Sequence, residues 1–544
     1  MGPMSLSRSD LPILLRAPQE GLPPSIFNDV IGPVMRGPSS SHCAAAVRIG
    51  RMARDLMGGE LEHVLVEFHP AGSLATTHRT QGSDMGLFGG LLGWEASDDR
   101  LVESAHALAE MGIQVELRIT DYPAPHPNTY KMTLRGPRGL HAMTAISTGG
   151  GMVEVVEVDG APVSMRGDRF ETLLWIGGGE DGGEDPETLL GELNRDVSVD
   201  DVVPHRLGTG WILQVRGNRV LPEAVARHLT STGAVSEIRS ISPVLPVLSR
   251  PGLQVPFLTA QELLNYNQAR DLDLWELAVS YECARGQLSR EAVVDEMVGI
   301  VDLLERSIQR GLAGTDYSHR ILGPQAGALH GHLGDGSLLE AGVLNLIIAY
   351  VTALMEVKSS MGVIVAAPTA GACGALPGAC VGAGHSMGLG REAMARGMLA
   401  AGLIGVFIAH RSTFAAEVCG CQAECGAGSG MAAAALVTLA GGSTREALGA
   451  ASMALQNTLG MICDPVANRV EVPCLGRNVM AASNALACAN MALAGFDPVI
   501  PLDEVIETMD RVGKSLPHEL RCTALGGLSV TPTSRRIQEE METR

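Results

Sequence analysis

Three thiols fall within seven residues of one another in EVCGCQAECGAGSG, at Cys419, Cys421 and Cys425, and a run of small residues with helical character follows at once. Clustered thiolates bind soft metals, so a metal centre is the first chemistry to consider. The spacing matches neither a paired C-x-x-C zinc site nor the ferredoxin run. Cysteine is also a common small core residue, so any one of these sulfurs could simply pack. Two more thiols, Cys463 and Cys474, bracket CDPVANRVEVPC. Proline keeps that segment out of regular helix, so its two ends could converge on one point. Residue types alone leave open which of the five sulfurs bind.

Other motifs carry polar groups suited to a small substrate. GPSSSH sets Ser39, Ser40 and Ser41 before His42, and imidazole titrates near neutral pH. Taken alone, the serines read as a helix N-cap. HPNT, with His126 and Asn128, reads alone as a turn. Asp84, in QGSD, could cap a helix or orient a polar partner, and the cap is the reading its position favours. Backbone N–H groups around Thr369 and Gly371, in APTAGA, could bind a carboxylate or belong to a tight helix junction. Arg477 could grip a carboxylate bidentately or balance charge near Cys474.

The elements that position these groups follow from composition and periodicity. A chain of 544 residues implies two or three domains, and 46% hydrophobic content with only 3% aromatics favours close packing through small residues. Residues 25–150 alternate strand-like runs such as HVLVEF with helical ones, which predicts an α+β domain. Residues 151–250 predict a smaller α+β unit that includes an acidic glycine-rich loop, GGGEDGGEDPE. The proline-rich SPVLPVLSRPGLQVP that ends it is the candidate linker. From 255 to 535 apolar residues recur at helical spacing, which predicts an all-α domain. The fold class expected is therefore multidomain: an α+β N-terminal domain, a small α+β middle unit and an all-α C-terminal domain.

Partners and compartment are bounded less sharply. A formal charge of −20 argues against nucleic acid and against an anionic membrane surface. AGVLNLIIAYVTALMEV is too short and too charged at its end for a lipid span, so a buried core helix is expected. The N-terminal twenty residues lack a sustained apolar run and a cleavage site, so a cytoplasmic protein with reduced thiols is expected.

GCQAECGAGSGMAAAALV, ICDPVANRVEVPCLGRN and MGVIVAAPTAGACGALPGA resemble the catalytic alpha domain of iron–sulfur-dependent L-serine dehydratases. SIFNDVIGPVMRGPSSSHCAAA, AGSLATTHRTQGSDMGLFGGLLG, HPNTYKM and STGGGMVEVVEVDG resemble that family's beta domain. The resemblance implies a [4Fe–4S] cluster held by Cys421, Cys463 and Cys474, with Cys419 and Cys425 as packing neighbours. One iron then lacks a thiolate and can act as a Lewis acid on a departing β-hydroxyl. It also implies His42 as the base, with Ser40 and Ser41 beside it in the catalytic turn. Ser39, His126, Asn128, Thr369, Gly371 and Arg477 fall to substrate binding. The implied reaction converts L-serine to pyruvate and ammonia through aminoacrylate, as part of amino-acid metabolism and gluconeogenesis. A homodimer is implied as the working form.

This chain departs from the family pattern at several places. Cys43 follows His42 where threonine is usual, and Cys419 replaces a small residue before GCQ. Asn468 and Arg469 stand in ANR where AGL is common, and Lys358 in VKSSMG replaces an amide. No cysteine ends the chain, although Cys522 replaces a usual acidic residue. These differences leave threonine, cysteine or another β-hydroxy amino acid open as substrate. A non-catalytic zinc protein is a further alternative, and the middle unit is either an ACT-like regulatory module or a spacer. A pyridoxal-phosphate mechanism would need a Schiff-base lysine. Only Lys131, Lys358 and Lys514 exist, with Lys358 the one candidate.

Overall fold

A computed structural model describes residues 22–542, except Thr80, Thr209, Thr232, Ala234 and most of 178–198, where Leu189 and Leu193 alone are described. The N-terminal twenty residues and the acidic loop from 178 onward lie outside the described residues. The chain is multidomain, and its described residues mix helices with three sheets.

The short strand β1 (Val34–Arg36) comes first. It is followed by β2 (His63–Phe68), β3 (Gln114–Ile119), β4 (Thr129–Gly136), β5 (Gly139–Gly149), β6 (Met152–Val158) and β7 (Ala161–Met165). The last six form one sheet in the order β3-β2-β4-β5-β6-β7, parallel between β2 and β3 and antiparallel elsewhere. HVLVEF is a strand as read, and every second residue, Val64, Val66 and Phe68, is buried against the domain core. Across that core the helices Ala45–Leu56 and Ser83–Leu91 meet backbone to backbone. A Cβ on Gly50 would lie 2.5 Å from the Leu87 oxygen, and one on Gly90 2.2 Å from the Val47 oxygen. Only glycine permits that approach.

The expected boundary at 150 falls inside this sheet. β5 pairs with β6 across it, and the sheet continues to Met165. The middle unit then contains β8 (Phe170–Ile176), β9 (Val199–Leu207), β10 (Gly210–Gly217) and β11 (Val235–Ile241) in the antiparallel order β11-β8-β10-β9. A helix, Glu223–Ser231, joins β10 to β11, and the helical Leu189 and Leu193 lie between β8 and β9. This is the β-α-β-β-α-β order of ferredoxin-like units. Alternation gives the sheet two apolar faces. Leu173, Trp175 and Ile212 join the core of the six-stranded domain, while Leu174, Leu213 and Val215 pack with Leu189, Leu193 and Leu229.

The proline-rich stretch read as a linker is pinned down. Asn28 donates to the Val247 oxygen at 2.7 Å and accepts from the Val247 N–H at 3.0 Å, and Arg285 donates to Ser249 Oγ at 3.0 Å. Buried backbone groups must find partners, and side chains of the N-terminal segment and the helical half supply them.

After residue 255 the described residues are helical apart from β12 (Val363–Val365) and loops. AGSGMAAAALVTL forms the central helix Ala427–Leu439, which is apolar all round. Helices Ala375–Ser386, Arg391–Arg411, Thr444–Gln456 and Cys474–Leu493 surround it. Val343–Ser359 is a buried core helix, as its sequence predicts. Among the described residues one helix, Arg391–Arg411, is long and apolar enough to cross a membrane, and 78% of its most apolar stretch is buried within the fold.

The N-terminal segment crosses to this half. Ile26, Phe27, Val30, Ile31 and Met35 belong to the helical core, and β1 pairs antiparallel with β12, Val34 opposite Val365 and Arg36 opposite Val363.

Candidate active site

The GCQ turn explains itself locally. Gly420 has φ +70, and a Cβ there would lie 2.6 Å from the Met461 oxygen, so the chain can bend only with glycine. Gln422 then locks the loop leading to Cys463. Its carboxamide accepts from Gly460 N–H at 2.8 Å and donates to the Met509 oxygen at 2.8 Å. Cys463 is zipped to the C-terminal segment, since its N–H bonds the Leu520 oxygen at 2.8 Å and its oxygen takes the Cys522 N–H at 2.9 Å.

These turns bring distant residues together. Cys421 Sγ, Cys463 Sγ and a carboxylate oxygen of Glu424 all lie within 4.8 Å of one another. Cys522 packs against Cys421, Cys463 and Ala416. Cys474 is buried at the start of helix Cys474–Leu493. Burial raises its thiol pKa, and the charge of Cys421 raises it further. One turn on, Asn478 binds the Cys474 and Gly371 oxygens, each at 2.9 Å, and reaches Cys425 Sγ at 3.5 Å. Cys425 also hydrogen-bonds to Cys421, whereas Cys419 faces helix Leu502–Ser515, 3.9 Å from the Asp510 oxygen.

Charge is concentrated on one sulfur. Cys421 is held well below the usual thiol range, because Cys425 and Cys463 donate to it and Arg477 stands 3.6 Å away. Arg477 also binds Asp464 at 2.6 Å, and Asp464, 3% exposed, accepts from Leu528 N–H at 2.8 Å. Of the two roles read for Arg477, balancing charge is the one its contacts serve.

The APTAGA loop faces the same place. Thr369 Oγ1 donates to Glu424 at 2.7 Å, and a Cβ on Gly371 would lie 3.0 Å from the same carboxylate. Burial pushes the Glu424 carboxyl up to about 8, helped by the Cys421 charge. The N–H groups of Gly374 and Ala375 are taken by Asn478, and that of Ala372 by Thr369. The junction reading of this loop thus has direct support in its hydrogen bonds.

Two departures from the family pattern find physical reasons. Lys358, 1% exposed, donates to the Val470 oxygen and so anchors the loop between Cys463 and Cys474. Asn468 is exposed and sits at φ +55, a conformation asparagine tolerates where glycine is otherwise needed.

His42 lies in a second group of polar residues. Its turn, Ser40–Ala44, runs into helix Ala45–Leu56. Ser39 Oγ is 2.8 Å and Ser41 Oγ 3.3 Å from Nδ1, while Thr77 Oγ1 is 3.0 Å from Nε2. Ser40 is buried in the turn. Burial lowers the His42 pKa to about 4. Thr77 donates to the Ser73 oxygen at 2.6 Å, and Ser73 Oγ donates to Asn128 Oδ1. The Asn128 oxygen takes the Ser147 N–H at 3.0 Å, and Ser147 Oγ donates to the Ser41 oxygen at 2.8 Å. A ring of hydrogen bonds therefore runs from His42 through Asn128 and back to its own turn.

His126 holds its own turn, accepting from Asn128 N–H at 3.1 Å on Nδ1. Asp84 does not cap its helix but pairs with His78 Nδ1 at 2.7 Å. Gln422, Glu424, Thr77 and Ser147 escaped sequence reasoning. The first two sit beside Cys421 in GCQAEC, a usable signal, while the two hydroxyl residues give none.

The β1–β12 ribbon carries both groups. The His42 turn leaves the end of β1, where Arg36 binds the Met361 oxygen at 2.9 Å, and the APTAGA loop follows β12.

Comparison with known proteins identifies relatives of both halves of the chain. The serine dehydratase alpha chain family matches residues 269–529. The probable L-serine dehydratase alpha chain of Bacillus subtilis (strain 168) is 36% identical over 285 residues, 52% of this chain and 95% of that protein. The probable beta chain from the same organism is 43% identical over 150 residues, 28% of this chain and 67% of its own. The L-serine dehydratase of Streptomyces coelicolor (strain ATCC BAA-471 / A3(2) / M145) is 30% identical over 390 residues, 68% of this chain and 81% of the relative. The protein is thus an enzyme of the lyase class. It belongs to the L-serine dehydratase family, with counterparts of both the alpha and the beta chain in one polypeptide.

Proposed function

We propose that this chain eliminates water from L-serine to give pyruvate and ammonia, with an iron–sulfur cluster held by Cys421, Cys463 and Cys474. The observation that carries the reading is the approach of Cys421 and Cys463, remote in sequence, to a shared point beside Glu424. The donor set fits such a group, because buried soft sulfurs beside a guanidinium favour iron–sulfur ligation over a hard cation. When bound, the cluster supplies Lewis-acid assistance to departure of the β-hydroxyl.

The chain's own residues supply the rest. His42, neutral at physiological pH because it is buried, is the base that drives removal of the Cα proton. Arg477 and Asn478 steady the sulfur-bearing turns. The Cα–H electron pair becomes the new double bond as the hydroxyl leaves, and the resulting aminoacrylate tautomerises and hydrolyses. Serine is favoured over other β-substituted amino acids by the relatives' names and by Asn468 and Lys358, whose backbone roles remove two reasons for a changed substrate. The ferredoxin-like order of the middle unit supports an ACT-like module there.

Anaerobic purification followed by iron, sulfide and zinc analysis, with ammonia release measured from serine, threonine and cysteine, tests the reading. About four irons and matching sulfide per chain, with serine the best substrate, is the expected result. Zinc alone, or no ammonia from any amino acid, would overturn it.

A further inference from the structure

The hydroxyl of Thr77 has one proton, and the Ser73 carbonyl at 2.6 Å takes it. Toward His42 Nε2, 3.0 Å away, the same oxygen can then only accept. Nε2 must therefore carry the ring hydrogen, and Nδ1 presents the lone pair. Ser39 Oγ, at 2.8 Å, donates to it, with Ser41 Oγ 3.2 Å from Ser39 Oγ. His42 itself is only 7% exposed, whereas Ser39 and Ser41 are half-buried, so Nδ1 is reached through those hydroxyls. Ser147 fixes the turn by donating to the Ser41 carbonyl at 2.8 Å.

The geometry points to Thr77 as a positioning residue that locks His42 as the Nε2–H tautomer, making Nδ1 the base atom and the Ser39 hydroxyl its proton relay. This rests on the reading of His42 as base. In the step, the Cα proton passes to Ser39 Oγ while the Ser39 proton passes to Nδ1, leaving an imidazolium whose Nε2–H stays on Thr77. The Cα–H pair forms the Cα–Cβ π bond, and the Cβ–O pair leaves with the hydroxyl. The proton held on Nδ1 departs with that oxygen as water, so no oxidant or further reactant is needed. A histidine in the wrong tautomer keeps its place and loses its function.

The test uses the anaerobic holoenzyme with Thr77→Val, Thr77→Ser, Ser39→Ala and His42→Ala, reading kcat, KM, the visible chromophore and the isotope effect with α-deuterated serine. Thr77→Val should lower kcat about 100-fold, the lower range of what acid–base groups contribute, with KM and chromophore unchanged. Its α-deuterium isotope effect should rise, because proton removal becomes limiting. Thr77→Ser should restore kcat to within about threefold, since the hydroxyl is retained. Ser39→Ala should also lower kcat and raise the isotope effect, which keeps the inference testable if Thr77→Val fails to fold. Wild-type kcat and isotope effect in Thr77→Val or in Ser39→Ala would overturn the inference. So would equal losses in Thr77→Val and Thr77→Ser. His42→Ala should be inactive; turnover in that variant would instead remove the base assignment on which the inference rests.

Discussion

Acidification offers a direct test of the environment around His42. Burial lowers this imidazole from 6.5 to about 4, so the neutral, proton-accepting form persists far below the usual range. At pH 5.5 an ordinary imidazole would be only about 10% neutral, whereas one with a pKa of about 4 is roughly 97% neutral. Between pH 7 and 5.5 the first would cost kcat/KM roughly eightfold and the second only a few per cent. Anaerobic initial rates of ammonia release, taken at constant ionic strength from pH 4 to 8, give the profile of the free enzyme. An acid limb with its inflection near 6.5, present in wild type and shifted by no substitution around His42, would refute the argument. The sign for stability follows from the same depression. The neutral form is favoured by folding, so the contribution is complete above pH 6.5 and is lost as pH falls through about 4. Its full size is on the order of 3 kcal/mol. Denaturation midpoints of a His42→Gln variant should therefore depend less steeply on pH between 4 and 6.5 than those of the wild type.

Cys421→Ser, Cys463→Ser and Cys474→Ser should each abolish the visible iron–sulfur absorbance, while Cys419→Ser should retain it, because that sulfur faces Asp510 instead. Absorbance and iron content after anaerobic reconstitution check this. Gly86→Ala would place a Cβ 2.3 Å from the Cys43 oxygen, against the turn that holds His42. Overpacking of this kind costs about 1–3 kcal/mol, so the melting temperature should fall and kcat with it. Arg477→Met should destabilise the protein by roughly 3–5 kcal/mol, because Asp464 loses its buried cationic partner. Chemical denaturation of wild type and variant reads that difference.

The thiols, the serine–histidine turn and the helical second half were legible because each signal is local. Cysteine spacing, SSSH and apolar recurrence at helical period can be read from neighbouring residues. What escaped depends on partners far away in the chain. β1 is three residues long and shows no periodicity, so nothing in VMR announces a pairing with VIV more than three hundred residues later. The proline-rich stretch has the composition of a linker, yet its role is set by Asn28 and Arg285. Thr77 and Ser147 are ordinary hydroxyl residues in ordinary elements, and only the fold turns them toward His42 and its carbonyls. Asp84 offered two readings, and the structure takes the one its position favoured less. Its position suits a cap, but His78 lies close enough to compete for the carboxylate and wins it.

The same long-range contacts tie the two halves of the chain together. The segment from Ile26 to Met35 is sequence-adjacent to the six-stranded domain but buried in the helical core. Glu282, fully buried, accepts from Ser25 Oγ and from the Ile26 N–H at 2.9 Å, so the crossing is held by polar pairing as well as by apolar contact. At the other end, Ser529 Oγ binds the Pro465 oxygen at 2.8 Å and Ser534 Oγ takes the Ala467 N–H at 2.9 Å, clamping the loop that begins at Cys463. In Bacillus subtilis the corresponding alpha and beta relatives are separate chains. Joining such halves makes their encounter intramolecular, which raises the effective concentration of one for the other without adding a contact. Here the join is also structural, because Val247 lies under Asn28 and Ser249 under Arg285. The connection is therefore bonded to the N-terminal segment and to the helical half at once, which a flexible tether would not be.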